Sequence, residues 1–113
     1  MNIQIFYKSK CFDSKKAERW FKEHGIKAQM IDLNQKGMSR GELTNVLKAV
    51  GSVEKLIDDK SKSQDAILLK YLARDEDKIE KLLENPSLIK SPVVRNGKAA
   101  TVGYCPDVWA TWE

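Results

Sequence analysis

The 113-residue sequence predicts an α/β fold in which a mixed four-stranded sheet is built in the order β-α-β, helical insertion, β-β-α. Three observations carry this. An apolar strand over residues 3–7 runs into a helix over 12–24 and then a second strand over 26–33, and two strands joined by one helix pair in parallel with a right-handed crossover. Residues from about 39 to 85 then read as helices. Finally, two short strands flank Asn96-Gly97, the strongest short hairpin signal, and Pro106 opens a last helix as its first residue.

Each element has its own local reason. The first helix brings Ala17, Trp20, Phe21 and His24 onto one face, and Gly25 stops it as a left-handed cap. Ser39-Arg40-Gly41-Glu42 is a capping box, followed by Leu43, Val46, Leu47 and Val50 at helical spacing and closed by Gly51. A short apolar turn at 53–57 leads into the polar stretch 58–63. A helix is expected over 66–73, and Asp75, Glu76 and Asp77 supply acids to the first turn of the next, which carries Ile79, Leu82 and Leu83 and ends at Asn85-Pro86. Strands at 93–95 and 99–104 form the hairpin, with Asn96 and Gly97 both expected at positive φ. Trp109 and Trp112 fall on one face of the last helix and read as core anchors.

Composition narrows the function classes. The length suits one domain, residues 1–113, without disulfide staples, and Cys11 and Cys105 are too few for a disulfide framework. Twenty Lys+Arg stand against 16 Asp+Glu, a net +4, and sixteen of the cations are lysines scattered over helix faces. A solvated surface explains that pattern better than direct nucleic-acid binding, which concentrates arginine among aromatics on one element. A single histidine, His24, sits in the last turn of the first helix, so neither a Ser-His-Asp nor a Cys-His arrangement is available. No basic and apolar leader opens the sequence, and no apolar run approaches the ~18 residues of a membrane span. A cytoplasmic protein with no membrane partner and no bound cofactor or metal is expected.

The reactive candidate is Cys11, placed where the first strand gives way to the first helix. Unpaired N–H groups and the positive end of the helix dipole favour its thiolate, which is the nucleophilic form. Lys8, Lys10, Lys15 and Lys16 are expected to push the same way and Asp13 to oppose them. Ser14 completes a Cys-x-x-Ser spacing and lies about one turn on, within reach of the sulfur as a hydrogen-bond donor.

Three segments resemble one family, the glutaredoxin-type (ArsC-like) arsenate reductases and the Spx-type regulators that share their thioredoxin-like fold. They are Tyr7-Lys8-Ser9-Lys10-Cys11-Phe12-Asp13-Ser14; Asn85-Pro86-Ser87-Leu88-Ile89-Lys90-Ser91-Pro92-Val93-Val94; and Asn96-Gly97-Lys98 with Val102-Gly103-Tyr104 and the acidic opening of the last helix. The resemblance implies a cis Pro92 facing Cys11, and a cycle in which glutathione and glutaredoxin, or thioredoxin, recycle the cysteine. For the Spx-type regulators it implies docking on RNA polymerase, with Gly51 at the place of their glycine after the second helix. Ser14 stands where those regulators usually have a second cysteine.

The departures bear on substrate. The family's arsenate reductases hold the oxyanion with three arginines, whose guanidinium forks match it bidentately. Here Lys60, Ser91 and Cys105 stand at those positions. Each lost charge-assisted hydrogen bond is worth about 1.5–3 kcal/mol, so two or three cost about two to five powers of ten in binding. The expected function is therefore a thiol-dependent oxidoreductase with Cys11 as nucleophile, Ser14 as its stabiliser, and Lys60, Ser91, Pro92 and Cys105 around the substrate, but with arsenate disfavoured. The alternative is an Spx-type module that binds RNA polymerase or another protein. Cys105 is expected to point into the pocket that Cys11 faces, at a helix N-terminus that favours its thiolate too. It reads there either as a small half-buried residue or as a resolving thiol.

Overall fold

A computed structural model describes residues 2–60 and 63–112, and runs β1 (Ile3–Tyr7), α1 (Phe12–Glu23), β2 (Ala28–Asp32), α2 (Arg40–Val50), a 3-10 turn (Val53–Leu56), α3 (Gln64–Leu69), α4 (Asp75–Glu84), a second 3-10 turn (Pro86–Leu88), β3 (Val93–Asn96), β4 (Ala99–Val102) and α5 (Pro106–Ala110). The strands lie in the order β2-β1-β3-β4. β1 pairs in parallel with β2 and antiparallel with β3, and β3 pairs antiparallel with β4. This is the mixed four-stranded sheet expected, in a thioredoxin-like arrangement whose extra helices, α2 to α4, stand between β2 and β3.

The period-2 geometry of a strand divides the core into two. Ile3, Ile5 and Val94 point to one face and pack with Ala17 and Phe21 of α1 and Trp109 of α5. Phe6, Ile31 and Val93 point to the other and pack with Leu43 and Val46 of α2, Leu69 of α3 and Leu82 of α4. Cys11 follows four residues after β1 ends, at the start of α1.

The capping box is present as the sequence implies: Ser39 Oγ accepts from the Glu42 N–H at 3.1 Å, and Glu42 Oε1 accepts from the Ser39 N–H at 2.9 Å. Gly51 caps α2 with φ +90°. Three expectations are corrected. α3 begins two residues early, because the Ser63 hydroxyl caps it by accepting from the Ala66 N–H at 3.2 Å, and it stops at Leu69. Both β2 and β4 are shorter than expected, β4 ending where Gly103 takes φ +87°. In the hairpin Asn96 still pairs with Ala99, so the loop is Gly97-Lys98, and only Gly97 has positive φ. That is the pattern of a type II′ turn rather than type I′. Of the polar stretch 58–63, Ser61 and Lys62 lie outside the described residues.

One glycine is tied to its neighbour by packing. Gly37, in the loop after β2, has φ +72°, and a Cβ there would come within 2.5 Å of Pro86 Cγ. A rigid proline ring cannot yield as a flexible side chain would. Gly37→Ala is expected to destabilise the fold by about 2–4 kcal/mol, from left-handed backbone strain plus overpacking. A lowered urea midpoint at unchanged slope would show it, and an unchanged midpoint would mean the loop shifts freely.

Candidate functional site

Cys11 is the N-cap of α1, with extended backbone at φ −94° and ψ 118°. As a thiol its Sγ–H donates to the Ser91 carbonyl oxygen at 3.5 Å, directly before the cis Ser91–Pro92 bond. Ser14 is buried under the first turn of α1, and its Oγ accepts from the Lys8 N–H at 3.3 Å. The hydroxyl proton of Ser14 is thereby left to donate toward the sulfur. Burial pushes the Cys11 thiol up, but hydrogen bonds from the Ser14 and Ser91 side chains and from the backbone N–H groups of Ser14 and Asp13 outweigh it and bring the pKa below its ordinary value.

The expected Ser14 hydroxyl and first-turn N–H groups are among the causes, but the expected lysines are not. Hydrogen bonds lower the thiol's pKa, and Asp13 helps through its N–H. Lys8 is engaged elsewhere: its ammonium donates to Asp58 Oδ2 at 3.1 Å and to the Ser87 carbonyl oxygen at 2.6 Å.

Cys11 opens into a cleft of about 600 Å³ whose walls include Lys8, Lys60, Lys90, Asp58 and Ser91. Lys60 thus shares the cleft with the sulfur, as expected, and Pro92 is buried beside it. Cys105 does not line that cleft. It lines a separate one of about 380 Å³ with Thr101 and Val102, and its Sγ–H donates to the Val102 carbonyl oxygen at 3.4 Å. Nor is its thiolate favoured. Burial pushes Cys105 up, a hydrogen bond with the Thr101 side chain offsets part of this, and the Asp13 carboxylate adds to the rise. Pro106 confers no advantage here because α5 has only five residues, too short for a strong dipole. Both cysteines are free.

Sequence reasoning missed Asp58 and Lys90. Lys90 adjoins Ser91 in the Pro-containing segment, a neighbour relation visible in the sequence. Asp58 lies 50 residues from Lys8 and had no local signal.

A thioredoxin-like sheet with a cysteine capping its first helix, against a cis-proline loop, defines the class. Residues 6–112 match the ArsC family, and the chain belongs to it. Among its relatives it is 32% identical over 112 residues to the global transcriptional regulator Spx 2 of Oceanobacillus iheyensis, covering 95% of this chain and 80% of that protein. Among solved structures it superposes on an ArsC-family-related protein of Bacteroides fragilis with a TM-score of 0.88 at 21% identity, covering 100% and 98% of the two chains. It also superposes on the arsenate reductase of Vibrio cholerae with a TM-score of 0.85 at 23% identity, covering 98% and 97%.

Proposed function

We propose that the protein is a thiol-dependent oxidoreductase whose Cys11 thiolate attacks a sulfur of a disulfide substrate. The substrate S–S bond breaks, a Cys11 mixed disulfide forms, and the other half leaves as a thiolate. An external thiol, from glutathione, glutaredoxin or thioredoxin, then attacks the mixed disulfide and frees Cys11. A second external thiol then attacks the sulfur of the first and expels the remaining half as a thiol, so one substrate disulfide is reduced and two external thiols are oxidised to one disulfide. Ser14 and Ser91 steady the thiolate, Pro92 shapes the backbone beside it, and Lys60 provides a cation at the mouth of the cleft. Cys105 takes no part, and the reducing thiols are those of a cytoplasm. No helix among the described residues is long and apolar enough to cross a membrane.

The observation that carries this reading is the pair of serine hydroxyls and two backbone N–H groups converging on one half-buried sulfur. Alkylation with iodoacetamide across pH, read by mass spectrometry, tests it. Cys11 is expected to react first, with a midpoint below the free-cysteine value of about 8.5, and Cys105 only at higher pH. Ser14→Ala should move the Cys11 midpoint up. If Cys11 reacts no more readily than Cys105, thiol chemistry is ruled out. The reading then remaining is a docking module with RNA polymerase as partner, favoured by the 32% identity to a transcriptional regulator.

A further inference from the structure

The cleft beside Cys11 carries its own anion. Of its cations, Lys8 is the one drawn into the wall, with a side chain only 13% exposed, whereas Lys60 and Lys90 stand at the exposed rim. The Asp58 carboxylate spans two donors there. Its Oδ2 takes the Lys8 ammonium at 3.1 Å, and its Oδ1 takes the Lys60 backbone N–H at 3.0 Å. A second Lys8 proton goes to the Ser87 carbonyl oxygen. An ammonium paired with a backbone N–H is what a carboxylate or a tetrahedral oxyanion would seek in such a wall. Here both donors are already taken.

We propose that Asp58 is a specificity-determining residue: by occupying the Lys8 ammonium and the Lys60 N–H it makes the Cys11 cleft select sulfur substrates without a negative charge next to the reacting sulfur, and reject oxyanions. The proposal deepens the oxidoreductase reading and rests on Cys11 being its nucleophile. The full set of charges on the cleft agrees with it. Lys8, Lys10, Lys60 and Lys90 face Asp13, Asp58 and Asp59, so a nominally basic cleft is left with about one net charge, borne on exposed lysines that water and salt screen. Neutralising Asp58 would free the least exposed of these cations, three residues before Cys11.

The test compares two alkylating agents of similar size and opposite demand, anionic iodoacetate and neutral iodoacetamide, on Cys11 at a pH where the thiolate predominates. Their rate ratio cancels the intrinsic reactivity of the sulfur. Asp58→Asn is expected to raise the iodoacetate-to-iodoacetamide ratio roughly fivefold at low salt, with the gain shrinking as salt is added. In the same variant, inorganic phosphate should slow iodoacetamide alkylation, while leaving the wild-type protein unaffected. Lys8→Gln should do the reverse, lowering the ratio roughly threefold because the Asp58 carboxylate then faces the cleft unmatched. Circular dichroism identifies which variants fold, and either folded variant decides the matter. A ratio that stays at the wild-type value overturns the proposal, as does phosphate protection equal to that in the wild type. The two readings fail separately. An ordinary Cys11 midpoint sinks the thiol chemistry while the ratio still reports the charge at Asp58. A low midpoint with an unmoved ratio sinks only the role of Asp58.

Discussion

In an assay coupled through glutathione and glutaredoxin, the protein is expected to turn over arsenate two to five powers of ten more slowly than a family enzyme carrying three arginines. The range follows from two or three lost charge-assisted hydrogen bonds of about 1.5–3 kcal/mol each. The structure sharpens where each loss falls. Lys60 lines the cleft but is exposed, and a flexible ammonium is a single point charge where a guanidinium fork would bind bidentately. Ser91 lines it too, with its hydroxyl and carbonyl both directed to Cys11. Cys105 lines another cleft. The one half-buried cation of the cleft beside Cys11, Lys8, is held by Asp58. Saturable turnover at low arsenate would show that Lys60 and Lys90 together replace the fork geometry.

What the sequence revealed of this molecule follows the range of the forces involved. Elements governed by neighbours within a few residues were legible: the capping box at Ser39, the left-handed stops at Gly25 and Gly51, and the alternation that sends Ile5 and Phe6 to opposite layers. Cys11 was legible for the same reason, since strand, cysteine and helix are consecutive. Errors came where a distant or subtle competitor decided. Lys8 was counted as a charge near the sulfur, but its partners, Asp58 and Ser87, lie 50 and 79 residues away. Cys105 stands where the family's arsenate reductases have an arginine. A short side chain reaches only its own surroundings, here the Val102 carbonyl three residues back. The hairpin loop lies one residue later than expected, because Asn96 can extend a strand as well as turn it, and pairing with Ala99 decides between the two.

Trp109→Ala is expected to be the most damaging single core substitution outside the site, costing about 3–5 kcal/mol out of a total stability of about 5–15 kcal/mol. Trp109 is fully buried, its ring lies 5.5 Å from that of Trp20 and 5.0 Å from that of Phe21, and its Nε1–H donates to Thr101 Oγ1 at 2.8 Å. It therefore joins α5 and β4 to α1, the helix whose first turn holds Cys11. α5 has five residues and cannot be stable by itself, so its place depends on this one ring. At roughly 4 °C or more per kcal/mol for a chain of this size, the melting temperature should fall by about 12–20 °C. Trp109→Phe keeps the apolar burial but leaves Thr101 without its donor, and should cost less, about 1–3 kcal/mol. The effect should also reach the sulfur. With the Trp20 and Phe21 face of α1 unsupported, the N–H groups of Asp13 and Ser14 lose their fixed aim at Cys11, and its alkylation midpoint should rise toward that of a free thiol at temperatures where the variant is still folded. A fall of less than about 5 °C in melting temperature would show instead that α1 is held by β1 alone, and that the order around Cys11 does not depend on the last helix.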